Sequence, residues 1–85
     1  MTVTVLYFAR LREAFGMASE QIELSAGVGD ISGLTQWLRN RGGAWETELA
    51  EGKPVRAAVN QELSFPATAI KDGDEIAFLP PVTGG

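Results

Sequence analysis

Alternation is the first signal in this 85-residue chain. From Thr2 to Phe8, the residues Val3, Val5 and Tyr7 point one way and Thr4, Leu6 and Phe8 the other, a β-branched and aromatic run that predicts a strand. Both of its faces are substantially apolar, which suits a central strand better than an edge. Ala9 to Phe15 holds good helix formers and stops at Gly16, predicting one or two helical turns. Glu20 to Ser25 sets Gln21 and Glu23 against Ile22 and Leu24, the pattern of a half-buried strand returning antiparallel along the first. The period then changes. Ile31, Leu34 and Leu38 recur at i, i+3 and i+7 between a capping residue, Asp30, and a Gly42-Gly43 stop, with Trp37 beside the stripe. This is the main helix, and Gly33 inside it costs about 1 kcal/mol relative to Ala. Trp45 to Ala50 reads as a short helix before Gly52, Val55 to Val59 as a strand, and Asn60-Gln61 as a turn. Leu63 to Phe65 reads as a short strand ended by Pro66, and Glu75 to Leu79 as a last strand after the turn Lys71-Asp72-Gly73-Asp74.

The order is α+β with one long helix, and a β-grasp arrangement accommodates it: a mixed sheet packed on the main helix, short additional helices, and the last strand beside the first. Residues 1–79 form the domain and residues 80–85 an extended tail. One helix layer covers one face of a sheet. If Val3, Val5, Tyr7, Val55, Ala57, Val59, Ile76 and Phe78 face the helix, alternation sends Leu6, Phe8, Ala58, Ala77 and Leu79 to the other side, where Leu63 can join them. That face is expected to bind a partner, unless the short helices or loops fold over it. Arg10 and Arg12 are candidates for a charged rim to the patch, and Arg39 and Arg41 for complementing the helix dipole.

Composition narrows the chemistry. A formal charge of -4 argues against a nonspecific phosphate-binding surface, so nucleic acid is not an expected partner. No apolar run approaches the roughly 18 residues of a membrane span, and the first residues lack the basic start of a signal peptide, so a cytoplasmic protein is expected. The chain has no Cys and no His, which removes thiolate nucleophiles, the usual general base and the commonest metal ligands. Asp72, Asp74 and Glu75 lack the spacing of a calcium loop and read as a turn, so no metal site is expected. Gly27-Val28-Gly29 is neither a dinucleotide fingerprint nor a phosphate loop.

What remains is the tail, Pro80-Pro81-Val82-Thr83-Gly84-Gly85. The prolines favour an extended path, the two glycines can pass a narrow channel, and six residues reach on the order of 20 Å. Read alone, such an end is equally a frayed terminus. Read as an arm, it carries the carboxylate of Gly85 into another protein's active site. An ionised carboxylate is a poor electrophile, so a partner must first convert it with ATP to an acyl-adenylate. A sulfur nucleophile can then displace AMP and leave a thiocarboxylate, a sulfur donor that needs no Cys in the chain.

Three stretches carry a family resemblance: Tyr7-Phe8-Ala9-Arg10-Leu11-Arg12-Glu13, Ala57-Ala58-Val59-Asn60-Gln61, and the block from Asp72 through Phe78-Leu79-Pro80-Pro81-Val82-Thr83 to Gly84-Gly85. With them the chain resembles the small, sulfur-carrier subunits of molybdopterin synthase, a ubiquitin-like β-grasp family. The resemblance implies that Gly85 is adenylated by an ATP-dependent enzyme of the ubiquitin-activating type and converted to a thiocarboxylate with sulfur from a sulfurtransferase. It is then inserted into the large subunit of a heterotetramer. There the sulfur passes to cyclic pyranopterin monophosphate to build the molybdopterin dithiolene. No bound cofactor is implied, only the glycyl adenylate and thiocarboxylate as covalent states. By position, Gly84 and Gly85 are the sulfur-bearing end, Pro80, Pro81, Val82 and Thr83 its approach, and Phe8, Leu63 and Leu79 the apolar contacts to the large subunit. Leu79 stands where an aromatic is common in the family. A carrier for thiamine or transfer-RNA thiolation shares the Gly-Gly end but usually not this approach to it. A ubiquitin-like modifier that forms isopeptide bonds is the other alternative.

Overall fold

In the computed structural model, which describes residues 1–53 and 55–80, the elements run β1 (Thr2–Tyr7), α1 (Ala9–Phe15), β2 (Ser19–Glu23), α2 (Ile31–Arg39), α3 (Ala44–Glu48), β3 (Arg56–Val59), β4 (Glu62–Leu63) and β5 (Glu75–Leu79). The strands form one sheet in the order β2-β1-β5-β3-β4. β1 and β5 pair in parallel, Val5 opposite Ile76 and Tyr7 opposite Phe78, while β2 returns antiparallel along β1 with Val3 opposite Ile22. The expected β-grasp fold is therefore present, with the last strand beside the first and β1 inside the sheet. The expected tail beyond Pro80 lies outside the described residues.

Period-2 alternation puts Val3, Val5, Tyr7, Ile76 and Phe78 on one face, and the i, i+3, i+7 stripe of α2 covers it with Ile31, Leu34 and Leu38; all eight are buried. Burying a side chain of this size stabilises by about 1.5–3 kcal/mol. Val55 and Val59 are half-buried against the same core. Ile22 of β2, Ala57 of β3 and Leu11 of α1, with Leu24, Leu49 and Ile70 from segments outside the strands and helices, complete it. The helix α2 starts where Asp30 caps it, its carboxylate accepting from the Gly33 amide at 2.7 Å. A Cβ on Gly33 would sit 3.2 Å from that capping oxygen and 3.4 Å from the Val28 side chain, which gives the helix-weakening glycine a packing reason.

Several boundaries differ from expectation: β1 ends at Tyr7 rather than Phe8, α3 spans Ala44–Glu48 rather than Trp45 to Ala50, and β3 begins at Arg56 rather than Val55. The returning strand spans Ser19–Glu23 rather than running to Ser25, although Leu24 still donates to the Met1 carbonyl at 2.7 Å. The fourth strand is Glu62–Leu63, not Leu63 to Phe65. Ser64 still bonds the Ala57 carbonyl, but the Phe65 amide turns to the Thr68 hydroxyl at 2.9 Å, and Thr68 N–H bonds back to the Phe65 carbonyl. That closed turn removes Phe65 from the ladder.

The β3–β4 connection is tight. Asn60 and Gln61 have φ of 50° and 72°, the left-handed pair that a two-residue hairpin of matching twist requires. The Asn60 side chain donates to Asp74 at 3.0 Å and accepts from the Glu75 amide at 3.0 Å. Asp74 is 7% exposed and also accepts from the Lys71 amide at 2.8 Å, while Asp72 accepts from the Thr2 amide at 2.7 Å. These carboxylates are engaged in holding the turn before β5. The hydrogen bond from Asn60, then that from Lys71, holds the Asp74 carboxyl below its ordinary range. Its folded value is thus below its unfolded one, so its contribution is complete above the ordinary carboxylate range and lost as pH falls through the folded value. We expect Asp74→Asn to cost on the order of 2 kcal/mol in urea unfolding at pH 7, because one donor loses its charged acceptor. The two proteins should converge in stability in acid; a constant difference at all pH values would contradict this assignment.

Candidate functional site

The face of the sheet opposite α2 is the one left open. Strand register makes its composition explicit. Across one row lie Ser19, Leu6, Ala77, Ala58 and Leu63, each opposite the next on the neighbouring strand. One row nearer the start of β5 lie Gln21, Thr4 and Glu75, and one row nearer its end Leu79 stands opposite Arg56. The open face is therefore polar where β5 begins and apolar where β5 ends and the chain continues toward Gly85. Leu6, Ala77 and Leu79 are half-buried and Ala58 is buried among its neighbours. Phe8 is 44% exposed and Leu63 57% exposed, large apolar side chains without a covering layer.

Why the face stays open follows from where α1 and α3 go. Tyr7 points to the helix side and meets Phe15 of α1 and Trp45 of α3 edge-on at 5.1 and 5.4 Å, while Phe15 and Trp45 stack at 3.8 Å. Arg41 lies over the Trp45 and Trp37 rings at 4.5 and 5.0 Å and forms a two-pronged ion pair with Glu20 at 2.8 and 2.9 Å. The Tyr7 hydroxyl donates to the same carboxylate at 2.8 Å. Burial, then the bond to Glu20, pushes the Tyr7 phenol far above its ordinary value and keeps it a donor. Burial opposes the charge on Glu20, but the bonds from Arg41 and Tyr7 outweigh it and hold the carboxyl low. This cluster fastens both short helices to the side already covered by α2.

Two expectations for the arginines are corrected by it. Arg41 does not serve the helix dipole; it lies past the end of α2 and its guanidinium is committed to Glu20 and the indoles. Arg10 does not rim the open face, because Glu48 of α3 binds it at 3.1 and 3.3 Å. Arg12 is exposed, and Arg39 occupies the last turn of α2 as expected.

Phe8 owes its position to the junction it occupies. It is the extended residue before α1, with φ -120° and ψ 153°, and Ala9 immediately after it adopts φ 49°. A non-glycine residue in that region carries local strain, tolerated here where the chain must leave the strand and turn into a helix on the far side of the sheet. The structure thus brings Phe8 and Leu79 to the tail end of the face and Leu63 to the outer edge strand. Pro80 is half-buried directly after β5, and Pro81, Val82, Thr83, Gly84 and Gly85 lie outside the described residues. Two further residues border this site without a signal in the sequence: Arg56, which strand register sets opposite Leu79, and Phe65, 70% exposed beside Leu63, which the turn to Thr68 carries out of the ladder.

The described open face offers shape and apolar surface, with Ser19, Thr4, Gln21, Glu75 and Arg56 as its polar groups. Among the described residues no group of three Asp or Glu is placed to hold a metal ion, and no helix is long and apolar enough to cross a membrane. What the face can do is seat another protein and orient whatever follows β5.

Known proteins show the same architecture. Relatives from Haemophilus influenzae and Escherichia coli, each named molybdopterin synthase sulfur carrier subunit, are 40% identical over 83 residues, covering 98% of this chain and 99% of theirs. A chain in the protein–protein complex of subunits 1 and 2 of the molybdopterin-converting factor from Helicobacter pylori superposes with a TM-score of 0.66 at 30% identity, with both chains covered completely (100%). Small archaeal modifier protein 1 of Haloferax volcanii, at 23% identity, shares the fold with a TM-score of 0.79 over 95% of this chain and 98% of that one. Residues 5–85 match the model of the ThiS family, and with full-length likeness to the sulfur carriers the chain belongs to that family.

Proposed function

We propose that this chain is the sulfur-carrier subunit of a molybdopterin synthase. The observation that carries the reading is the full-length likeness to relatives of that name, joined to an open sheet face whose apolar end is the end from which the Gly-Gly tail departs. The Gly85 carboxylate is adenylated in an ATP-dependent partner of the ubiquitin-activating type, and sulfur supplied by a sulfurtransferase displaces AMP to give the thiocarboxylate. The large subunit then receives the tail, with Phe8, Leu63 and Leu79 seated against it, and Pro80 to Thr83 leading Gly84 and Gly85 to cyclic pyranopterin monophosphate. Two sulfurs are needed for one dithiolene, so two charged carriers, or one recharged, serve each product; a heterotetramer supplies the pair. The use of ATP and the lack of any cysteine suit the cytoplasm.

In this scheme the carrier holds the reacting group and the partner supplies the catalysts, consistent with a chain that has neither Cys nor His. The test is an intact-mass measurement after incubation with the adenylating enzyme, ATP and a sulfur source. The expected result is the mass gain of one oxygen-to-sulfur exchange, localised to Gly85 and dependent on ATP. Unchanged mass, or conjugates to lysines of other proteins in place of the thiocarboxylate, would remove the proposal in favour of the modifier reading.

A further inference from the structure

On the helix side, α2 does not reach the outer strands. Between α2 and the β3–β4 hairpin it leaves a groove of about 510 Å³, floored by Leu49, Val55, Ala57 and Phe78. Arg39 of α2 and Lys53 before β3 border it, Arg56 of β3 lines its edge from a strand position whose side chain belongs to the open face, and Glu51 is the single carboxylate among its described lining residues. This is an unusual concentration in a chain of net charge -4. Elsewhere Arg10 and Arg41 are consumed by Glu48 and Glu20. Lys53 and Arg56 are exposed and make no ion pair among the described residues, and the Arg39 Nε is buried without an acceptor there. Leu63 and Phe65 form the apolar lip of the groove, and Leu63 is also the outermost residue of the apolar row on the open face.

We propose that this groove is a second docking site, which takes an extended acidic segment of the same large subunit that covers the open face. The inference rests on the reading of the open face as the interface with that subunit. Continuity supplies the path: a partner seated on Leu6, Ala77 and Leu63 reaches the groove by passing around the short edge strand β4. Charge supplies the chemistry. An acidic side chain entering between Arg39 and Lys53 meets cations that the chain itself leaves unneutralised, and aliphatic neighbours of that side chain meet the floor and lip. The net negative charge of the carrier disfavours an acidic segment on most of the remaining surface, so the groove also helps to fix orientation.

Zero-length carbodiimide coupling of the complete chain with the large subunit tests this directly, since it joins an amine only to a carboxylate in ion-pair contact. We expect Lys53 to be joined to an Asp or Glu of the large subunit, with the yield falling steeply between low and high salt. Lys53→Glu should raise Kd about tenfold or more and flatten its salt dependence, Lys53→Arg should restore both, and Lys71→Glu, at the opposite end of β5, should leave both unchanged. Lys53→Glu is the deciding variant because Arg56 also borders the open face. Coupling of Lys53 to this chain's own terminal carboxylate, or an unchanged Kd and salt slope for Lys53→Glu, would overturn the proposal. If Phe8→Asp still weakens binding strongly in that case, only the groove assignment fails. If it too binds normally, the open-face reading fails with it.

Discussion

Removal of Gly85 is expected to abolish molybdopterin formation while leaving the unfolding curve where it is. The core is built from residues between Val3 and Phe78, and no hydrogen bond described above requires a residue beyond Leu79. A deletion at the end of the tail should therefore change stability by no more than the ±0.5 kcal/mol typical of surface substitutions. Activity responds differently, because a chain ending at Gly84 presents its carboxylate one residue short, about 3.5 Å, of where the partner's reacting groups converge. Misplacement of even 1 Å can cost a hundredfold in rate, so the loss should be complete within assay limits. Two measurements separate the effects: urea unfolding of the truncated chain, and product formation with the large subunit and substrate. The truncated chain should still form the complex. Normal product formation would place the reacting group elsewhere in the chain and sink the carrier scheme.

Replacing Phe8 by Asp is expected to have the second-largest effect, and on association rather than folding. The side chain is 44% exposed and lies outside the buried core, so the substitution forfeits little packing. In the complex the same position would bury a charge in an apolar contact. Central interface anchors of this kind cost about 2 kcal/mol or more when lost, which corresponds to roughly a 30-fold weaker Kd. Leu63→Asp, at 57% exposed, should behave alike. Leu79 is a poorer probe, since it is half-buried within β5 and its replacement also disturbs the ladder opposite Arg56. Calorimetry on variants shown to be folded decides the matter; affinity equal to that of the parent chain would mean that the open face is not the interface.

Much of this was legible without coordinates, where local pattern alone determines structure. Val3, Val5 and Tyr7 announce their common face by alternation, and Asp30 with Ile31, Leu34 and Leu38 announces a capped, one-sided helix. The split of the sheet into a covered and an open face follows from having one long helix. What the residues could not announce depends on contacts far apart in sequence. Arg41 looks like a dipole cation until Glu20, on the returning strand, is seen to claim it. Arg10 looks like a rim charge until Glu48 is seen across α3. Phe65 continues an apolar run, and only the Thr68 hydroxyl reveals why it leaves the ladder. The groove beside α2 is equally invisible in sequence, because Arg39, Lys53 and Arg56 share no periodicity. The chemistry proposed for the chain, by contrast, rests on the terminal residues and on the missing Cys and His, not on any of the contacts described.

The place of β5 in the sheet has a consequence for how the molecule is made. In the order β2-β1-β5-β3-β4, β5 is the strand that joins the first two strands to the hairpin, and it supplies Ile76 and Phe78 to the core. While a ribosome is still adding the residues before Glu75, the two halves of the sheet have no common neighbour, so the long-range pairing must wait. The open face is thus completed only once β5 has been made, because Ala77 and Leu79 are part of it. A chain stopped before β5 has neither the strand that joins the two halves of the sheet nor the middle of its open face.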